Sequence, residues 1–261
     1  MQITNLSISF SKVKSAKLIP SKEYSLTTED VIIYTIYLPN FINIKNYLSN
    51  YLNAKEIKKA QQFYKEKDKN KFIIYRSILK FILASHTKLD VRAIDFDYHY
   101  NKKPFLASHP FLHFNISHSE DFAAIAISNK KVGLDIEFMH EHFNFTNVLE
   151  DVFVDNEISA IQEANNKKHA FYTSWTRKEA FVKALGKGID EDFKFIPCLD
   201  GHHTLNNTIS NKNEIWQLYS FELADNYLGA IAFEGLSKIS KTLKLYSIPN
   251  TIQELVSMLK K

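Results

Sequence analysis

Glycine is scarce in this chain, with six among 261 residues, about a third of the usual ~7%. None precedes Gly133, and the rest are Gly186, Gly188, Gly201, Gly229 and Gly235. Glycine-rich turns let backbone amides close around phosphates, and neither a G-x-G-x-x-G fingerprint nor a G-x-x-x-x-G-K-[ST] loop is present. A nucleotide bound here must therefore be held by side chains and metal. Cysteine is scarcer still. Cys198 alone excludes an internal disulfide framework and a multi-cysteine zinc site, and fits a reducing, cytoplasmic setting. Long apolar runs are missing too: the longest, Phe72 to Ala84, is broken by Arg76 and Lys80, so no membrane span is expected. The opening Met1-Gln-Ile-Thr-Asn lacks a basic segment followed by an apolar one, so no leader is expected. A net charge of +4 is mild and suits an acidic or phosphorylated partner without demanding nucleic acid.

What is present is a core-forming composition, 45% hydrophobic and 13% aromatic. Disorder is excluded, and the length suits two domains or one large one. Residues 31–38 (VIIYTIYL) read as a buried strand ending at Pro39. Residues 54–86 read as one or two helices, with Ile57, Phe63, Phe72, Tyr75, Leu79, Ile82 and Leu83 recurring near helical spacing. Two prolines mark a loop over 101–110. Phe122 to Ile127 and Val132 to Phe138 read as strands joined by the turn Ser128-Asn-Lys-Lys131, which predicts a hairpin. Residues 168–185 predict a helix ended by Gly186. The segments IWQLYSFEL, YLGAIAFEG and KTLKLYS read as strands, and a short helix follows from Ile252. This order gives an α+β fold with two similar halves meeting near residue 130.

Asp135 and Glu137 lie two apart on a predicted strand, so their carboxylates leave the same face while Leu134, Ile136 and Phe138 supply the apolar one. Adjacent carboxylates repel unless a cation sits between them, and oxygen-only ligation favours Mg²⁺. An isolated D-x-E is more often an ordinary exposed strand face. On the 168–185 helix, Phe171, Trp175, Val182 and Leu185 form an apolar stripe, while Thr176, Glu179 and Lys183 line another. Spacing alone leaves Glu179 and Lys183 open between a solvated helix pair and a metal ligand with a phosphate-binding lysine.

Val132-Gly-Leu-Asp-Ile-Glu137, then Trp175-Thr-Arg-Lys-Glu-Ala-Phe-Val-Lys183 and Gly186-Lys-Gly188, resembles the two signature motifs of the 4′-phosphopantetheinyl transferases. Upstream, Lys103-Pro104 and Asn115-Ile-Ser-His-Ser119 match two further motifs of the larger, Sfp-type branch. The resemblance spans residues 55–235, with four motifs in order. It implies a monomer of two α+β halves related by a pseudo-twofold axis, residues 1–130 contributing coenzyme A contacts and residues 131–261 carrying the metal site. It further implies transfer of the phosphopantetheine arm of coenzyme A, as co-substrate, to a serine of an apo acyl or peptidyl carrier protein, releasing adenosine 3′,5′-bisphosphate.

Carried over by motif, Asp135, Glu137 and Glu179 match the magnesium ligands, with manganese the alternative ion. Lys183 matches the lysine beside the scissile phosphate. His118, with Ser117 next to it, matches a coenzyme A phosphate contact, and Lys103 with Pro104 matches the adenine side. Lys59 and Lys71 fall where relatives place cations for the 3′-phosphate. Glu179 is the first candidate to take the proton of the carrier serine. Two departures stand out: Lys102 replaces the usual glycine before Lys-Pro, and Lys71 stands where arginine is frequent. His140, His142, His202 and His203 lack motif support and read as solvated. Phe143, Phe145 and Val148, after the metal strand, are candidates for the carrier surface, with a lid or core segment the equal alternative. Two other functions fit the same residues in part: a non-catalytic, metal-dependent phosphate binder, against which the intact Asp135, Glu137, Glu179 and Lys183 argue, and a carboxylate-based hydrolase, which would not require the lysine and histidine motifs.

Overall fold

The computed structural model describes residues 4–10, 12–18, 31–205, 209, 214–235 and 242–259. Met1 to Ile3, read above for a leader, and Lys241, read as strand, lie outside the described residues. The fold is α+β. Strands β1 (Thr4–Phe10), β2 (Lys12–Leu18) and β3 (Val31–Tyr37) lead through a 3₁₀ segment into helices α1 (Lys45–Ser49), α2 (Ala54–Gln61) and α3 (Glu66–Thr87). The small ribbon β4 (Asp97–Tyr98) and β5 (Pro104–Phe105) precedes β6 (His113–Ser119), β7 (Phe122–Ser128) and β8 (Val132–Phe138). Helices α4 (Leu149–Val152), α5 (Asp155–Glu163) and α6 (Lys167–Leu185) follow. The chain closes with β9 (Gly201–Leu205), β10 (Ile215–Ala224), β11 (Tyr227–Glu234), β12 (Thr242–Ser247) and α7 (Ile252–Ser257).

Two five-stranded sheets organise these elements, one ordered β2-β12-β3-β7-β6 and the other β8-β11-β10-β1-β9. The predicted hairpin of β7 with β8 does not form. β7 pairs antiparallel with β6 and β3, whereas β8 pairs with β11 in the other sheet. The Ser128–Lys131 turn is thus the hinge between sheets rather than a hairpin tip. The terminal strands also cross over: β1 lies parallel to β10, and β12 lies parallel to β2 and β3.

Strand periodicity explains the layering. On β7, Ala123, Ile125 and Ile127 pack with the α3 residues Ile74, Ile78 and Ile82, while Ala124 and Ala126 meet Leu134, Ile136 and Ile231 of the second sheet. On the far side, Ala230 and Ala232 of β11 and Trp216 and Leu218 of β10 pack with Ala180 and Phe181 of α6. Each sheet therefore has one helix-covered face and one shared face. Phe72, Leu79, Ile82 and Leu83 are buried as their spacing predicts, but Ile57 is 42% exposed because α2 is short and its outer face meets solvent. Helix ends obey local chemistry: Asn53 and Glu56 form a reciprocal capping box on α2, and Gly186 closes α6 in the left-handed region at φ 70°.

Candidate functional site

Gly133 lies inside β8, as the strand reading over 132–138 places it, and the packing there requires glycine. A Cβ there would collide with the backbone of α6 at Ala180 and Ala184. Its absence lets α6 lie directly on β8 and brings Lys183 over Asp135. The Lys183 Nζ sits 2.6 Å from Asp135 Oδ1, 3.3 Å from Ser117 Oγ and 3.9 Å from Glu179 Oε2. Asp135 is only 2% exposed, and its Oδ2 is buried with no hydrogen-bond partner. Glu137, two residues on, is half-buried and accepts from Ser119 Oγ at 3.0 Å.

The charges of this cluster are mutually strained. Burial, followed by the neighbouring Asp135 charge, pushes the Glu137 carboxyl up to about 7. Burial also raises Glu179, against the pull of Lys183. For Lys183 burial works the other way, but the carboxylates of Asp135 and Glu179 outweigh it and hold the ammonium above its ordinary range. Asp135, Glu179 and Lys183 thus converge as an ion cluster. Among the described residues no three acid, histidine or cysteine side chains come close enough together to hold a metal ion. The donor set nevertheless fits a hard divalent cation, because it offers only oxygens and includes the unpartnered buried Oδ2 of Asp135.

The basic side comes from α2, α3, β6 and the segment before β5. His118 stacks on Tyr75 with ring centroids 4.7 Å apart. Burial, then the charges of Lys183 and Lys71, depress its pKa. Lys71 lies 3.7 Å from Glu120, which also faces Lys67 at 3.5 Å and His140 at 3.7 Å. Lys59 is exposed, with its ammonium 5.5 Å from the centre of the Phe72 ring. Lys103 donates to the carbonyls of Val132 at 3.0 Å and Lys183 at 2.6 Å, and burial lowers its pKa to about 8. Its ammonium therefore clamps the loop before β5, where Pro104 sits, onto β8 and the end of α6. Asn101 adds a bond to the Gly186 carbonyl at 2.7 Å. Lys102, the departure noted above, takes φ 62°.

Ser117 emerges as a partner of Asp135, its Oγ donating to Oδ1 at 2.9 Å. Sequence reasoning passed over Asn115, Ser119 and Asn101 as contributors. The signal for the first two was there in the polar residues at every second position of Asn115-Ile-Ser-His-Ser119. Of the proposed carrier surface, Phe145 stacks on Phe171 at 5.0 Å and joins a buried cluster with Val148, while Phe143 stays 43% exposed. Trp175 packs against Phe171 and Phe193.

Comparison with known proteins decides the family. The 4′-phosphopantetheinyl transferase superfamily matches residues 131–232, and the family described as 4′-phosphopantetheinyl transferase, N-terminal, matches residues 43–130. The 4′-phosphopantetheinyl transferase gsp of Aneurinibacillus migulanus is 30% identical over 203 residues, covering 74% of this chain and 81% of that protein. The chain belongs to the 4′-phosphopantetheinyl transferase superfamily. A further superfamily relative, from Bacillus subtilis, is 29% identical over 177 residues, 65% of this chain and 78% of its own length. The 4′-phosphopantetheinyl transferase HetI of Nostoc sp. is 28% identical over 171 residues, 63% and 72% of the two chains. Among the described residues no helix is long and apolar enough to cross a membrane.

Proposed function

We propose that this enzyme transfers the 4′-phosphopantetheine arm of coenzyme A to a serine of an apo acyl or peptidyl carrier protein, with Mg²⁺ or Mn²⁺, and releases adenosine 3′,5′-bisphosphate. It acts as a cytoplasmic monomer of two related halves, 1–130 and 131–261, with no nucleic-acid or membrane partner. The observation that carries the reading is the Lys183 ammonium between Asp135 and Glu179, beside a buried Asp135 Oδ2 that lacks a partner.

Lys59 and Lys71 bind the 3′-phosphate of coenzyme A, and Lys103 with Pro104 flanks its adenine. His118 and Lys183 hold the pyrophosphate, with Lys183 exchanging part of its contact with Asp135 for a phosphate oxygen. Asp135, Glu137 and Glu179 would hold the divalent ion, which when bound neutralises charge growing on the departing bisphosphate. Glu179 takes the proton from the carrier serine as its oxygen bonds to the phosphorus on the pantetheine side. The phosphorus–oxygen bond to the departing bisphosphate breaks in the same displacement. The fixed ammonium of Lys183 at the pyrophosphate supplies charge stabilisation, and His118, whose pKa is depressed, serves there as a hydrogen-bond donor. Phe143, the exposed aromatic after the metal strand, contributes to the carrier-docking surface, and Phe145 and Val148 support it from the cluster around Phe171.

The reading is tested by incubating the protein with coenzyme A, Mg²⁺ and a panel of apo acyl and peptidyl carriers, then weighing each carrier by mass spectrometry. A gain of one phosphopantetheine on at least one carrier is expected. Coenzyme A binding without an adduct on any carrier would instead identify a non-catalytic binder.

A further inference from the structure

The two sheets meet along an edge where no backbone ladder forms, and side chains replace it. β6 ends one sheet and β8 ends the other, so each presents unpaired backbone groups. Leu134 N donates to Asn115 Oδ1 at 2.8 Å, Ile136 N to Ser117 Oγ at 3.3 Å and Phe138 N to Ser119 Oγ at 3.0 Å. These are three consecutive rungs, at every second residue of both strands.

Two of the rungs continue further. Having accepted an amide of β8, Ser117 donates its proton to Asp135 Oδ1 at 2.9 Å, and Ser119 donates to Glu137 Oε2 at 3.0 Å. A serine hydroxyl has one proton to give and two lone pairs to receive. Ser117 uses all three, since Lys183 Nζ also lies 3.3 Å from its oxygen. The Asn115 rung carries no acid, because Gly133 occupies the equivalent place on β8.

We propose that Ser117 and Ser119 are positioning residues for the acid pair. Each hydroxyl locks one carboxylate oxygen to the neighbouring sheet and leaves the other free for a divalent cation. The proposal rests on the metal-dependent reading above and adds to it a role for the first sheet in shaping the acids of the second. Donated hydroxyl protons favour the ionised carboxylate, the form that binds a cation. They also fix its rotation, as hydrogen-bonding partners beyond a metal's own ligands do elsewhere. Asp135 has the expected outcome: Oδ1 is engaged by Ser117 and Lys183, and Oδ2 is buried and unpartnered.

The three rungs supply their own control. Asn115→Ala and Ser119→Ala both leave a β8 amide without its partner, but only the second releases a carboxylate. Mn²⁺ binding to the full-length protein, followed by electron paramagnetic resonance titration and paired with thermal unfolding, separates the two effects. Ser119→Ala is expected to weaken Mn²⁺ by about 10–100-fold, and Ser119→Thr, which keeps the hydroxyl, to restore most of it. Asn115→Ala is expected to lower the unfolding temperature while binding Mn²⁺ as the unaltered protein does. Unchanged Mn²⁺ affinity in Ser119→Ala, or an equal loss in Asn115→Ala, would overturn the positioning role. Should the unaltered protein bind Mn²⁺ no better than Asp135→Asn, the metal reading itself falls and this role falls with it. Ser119 is only half-buried, so its variant keeps the test alive if Ser117→Ala does not fold.

Discussion

Helix α6 carries two lysine–carboxylate pairs that look alike in sequence and differ in kind. Lys178 is fully buried, and its ammonium meets Glu157 Oε2 at 2.8 Å, the Lys194 carbonyl at 2.8 Å and the Ile196 carbonyl at 2.6 Å, using all three protons. Glu157 is equally committed, accepting from the amides of Cys198 and Val154. Lys183 is partly exposed, shares Asp135 with Ser117, and leaves one carboxylate oxygen of Asp135 unpartnered. The first helix–sheet unit holds a third, intermediate kind: Glu56, the capping residue of α2, meets buried Lys80 at 3.4 Å and Arg76 at 2.9 Å, yet its Oε1 and the Arg76 Nε make no hydrogen bond. A saturated ion pair holds elements together. At Lys183 the spare buried oxygen of Asp135 lies in the field of two further carboxylates, Glu137 and Glu179, and that acidic setting is poised to accept a cation.

The largest expected effect breaks the closed pair. Glu157→Ala strands the Lys178 charge in the core and should remove about 3–5 kcal/mol of folding stability, read by denaturant unfolding. Lys183→Met should act in the opposite register, lowering transfer on the order of 10²-fold or more while costing less folding stability than Glu157→Ala, because Lys183 is partly exposed. Equal losses of stability in both variants would erase the distinction drawn between the pairs.

A smaller effect concerns pH. The Glu137 carboxyl has its folded pKa raised to about 7 from an ordinary 4.5. Between those values the folded protein binds more protons than the unfolded chain, so without divalent cation stability should fall as pH rises through that window. Glu137→Gln should flatten the slope, as should a bound cation, and melting curves across the window read both. The smallest effect lies at the surface. Phe143→Ala should raise KM for the carrier a few-fold and leave KM for coenzyme A unchanged, and steady-state kinetics with each substrate varied would expose an equal shift in both.

Much of the second unit was legible in the sequence, and the reasons are local. β8 alternates apolar residues with Gly133, Asp135 and Glu137, and α6 has its stripe and its terminal glycine. The D-x-E spacing put both acids on the face that α6 covers. Pairing between distant segments was not legible. Nothing near Thr4 signals that β1 lies beside β10, and the short link after β7 looks like a hairpin turn although its strands enter different sheets. β6 escaped notice because Asn115, Ser117 and Ser119 put polar side chains where an apolar face would have marked a strand. Their oxygens serve the amides of another strand, an arrangement that only the third dimension displays. Lys103 likewise read only as a cation near ligand, while its ammonium holds two carbonyls across the seam.

The account stands or falls on Asp135, the acid at the centre of the cluster under α6. Single-turnover transfer from coenzyme A to an apo carrier, with Mg²⁺ and followed by the mass of the carrier, compares the unaltered protein with Asp135→Asn. A modified carrier from the first and none from the second, at matched unfolding temperatures, is the predicted result. A modified carrier from both at similar rates would contradict it.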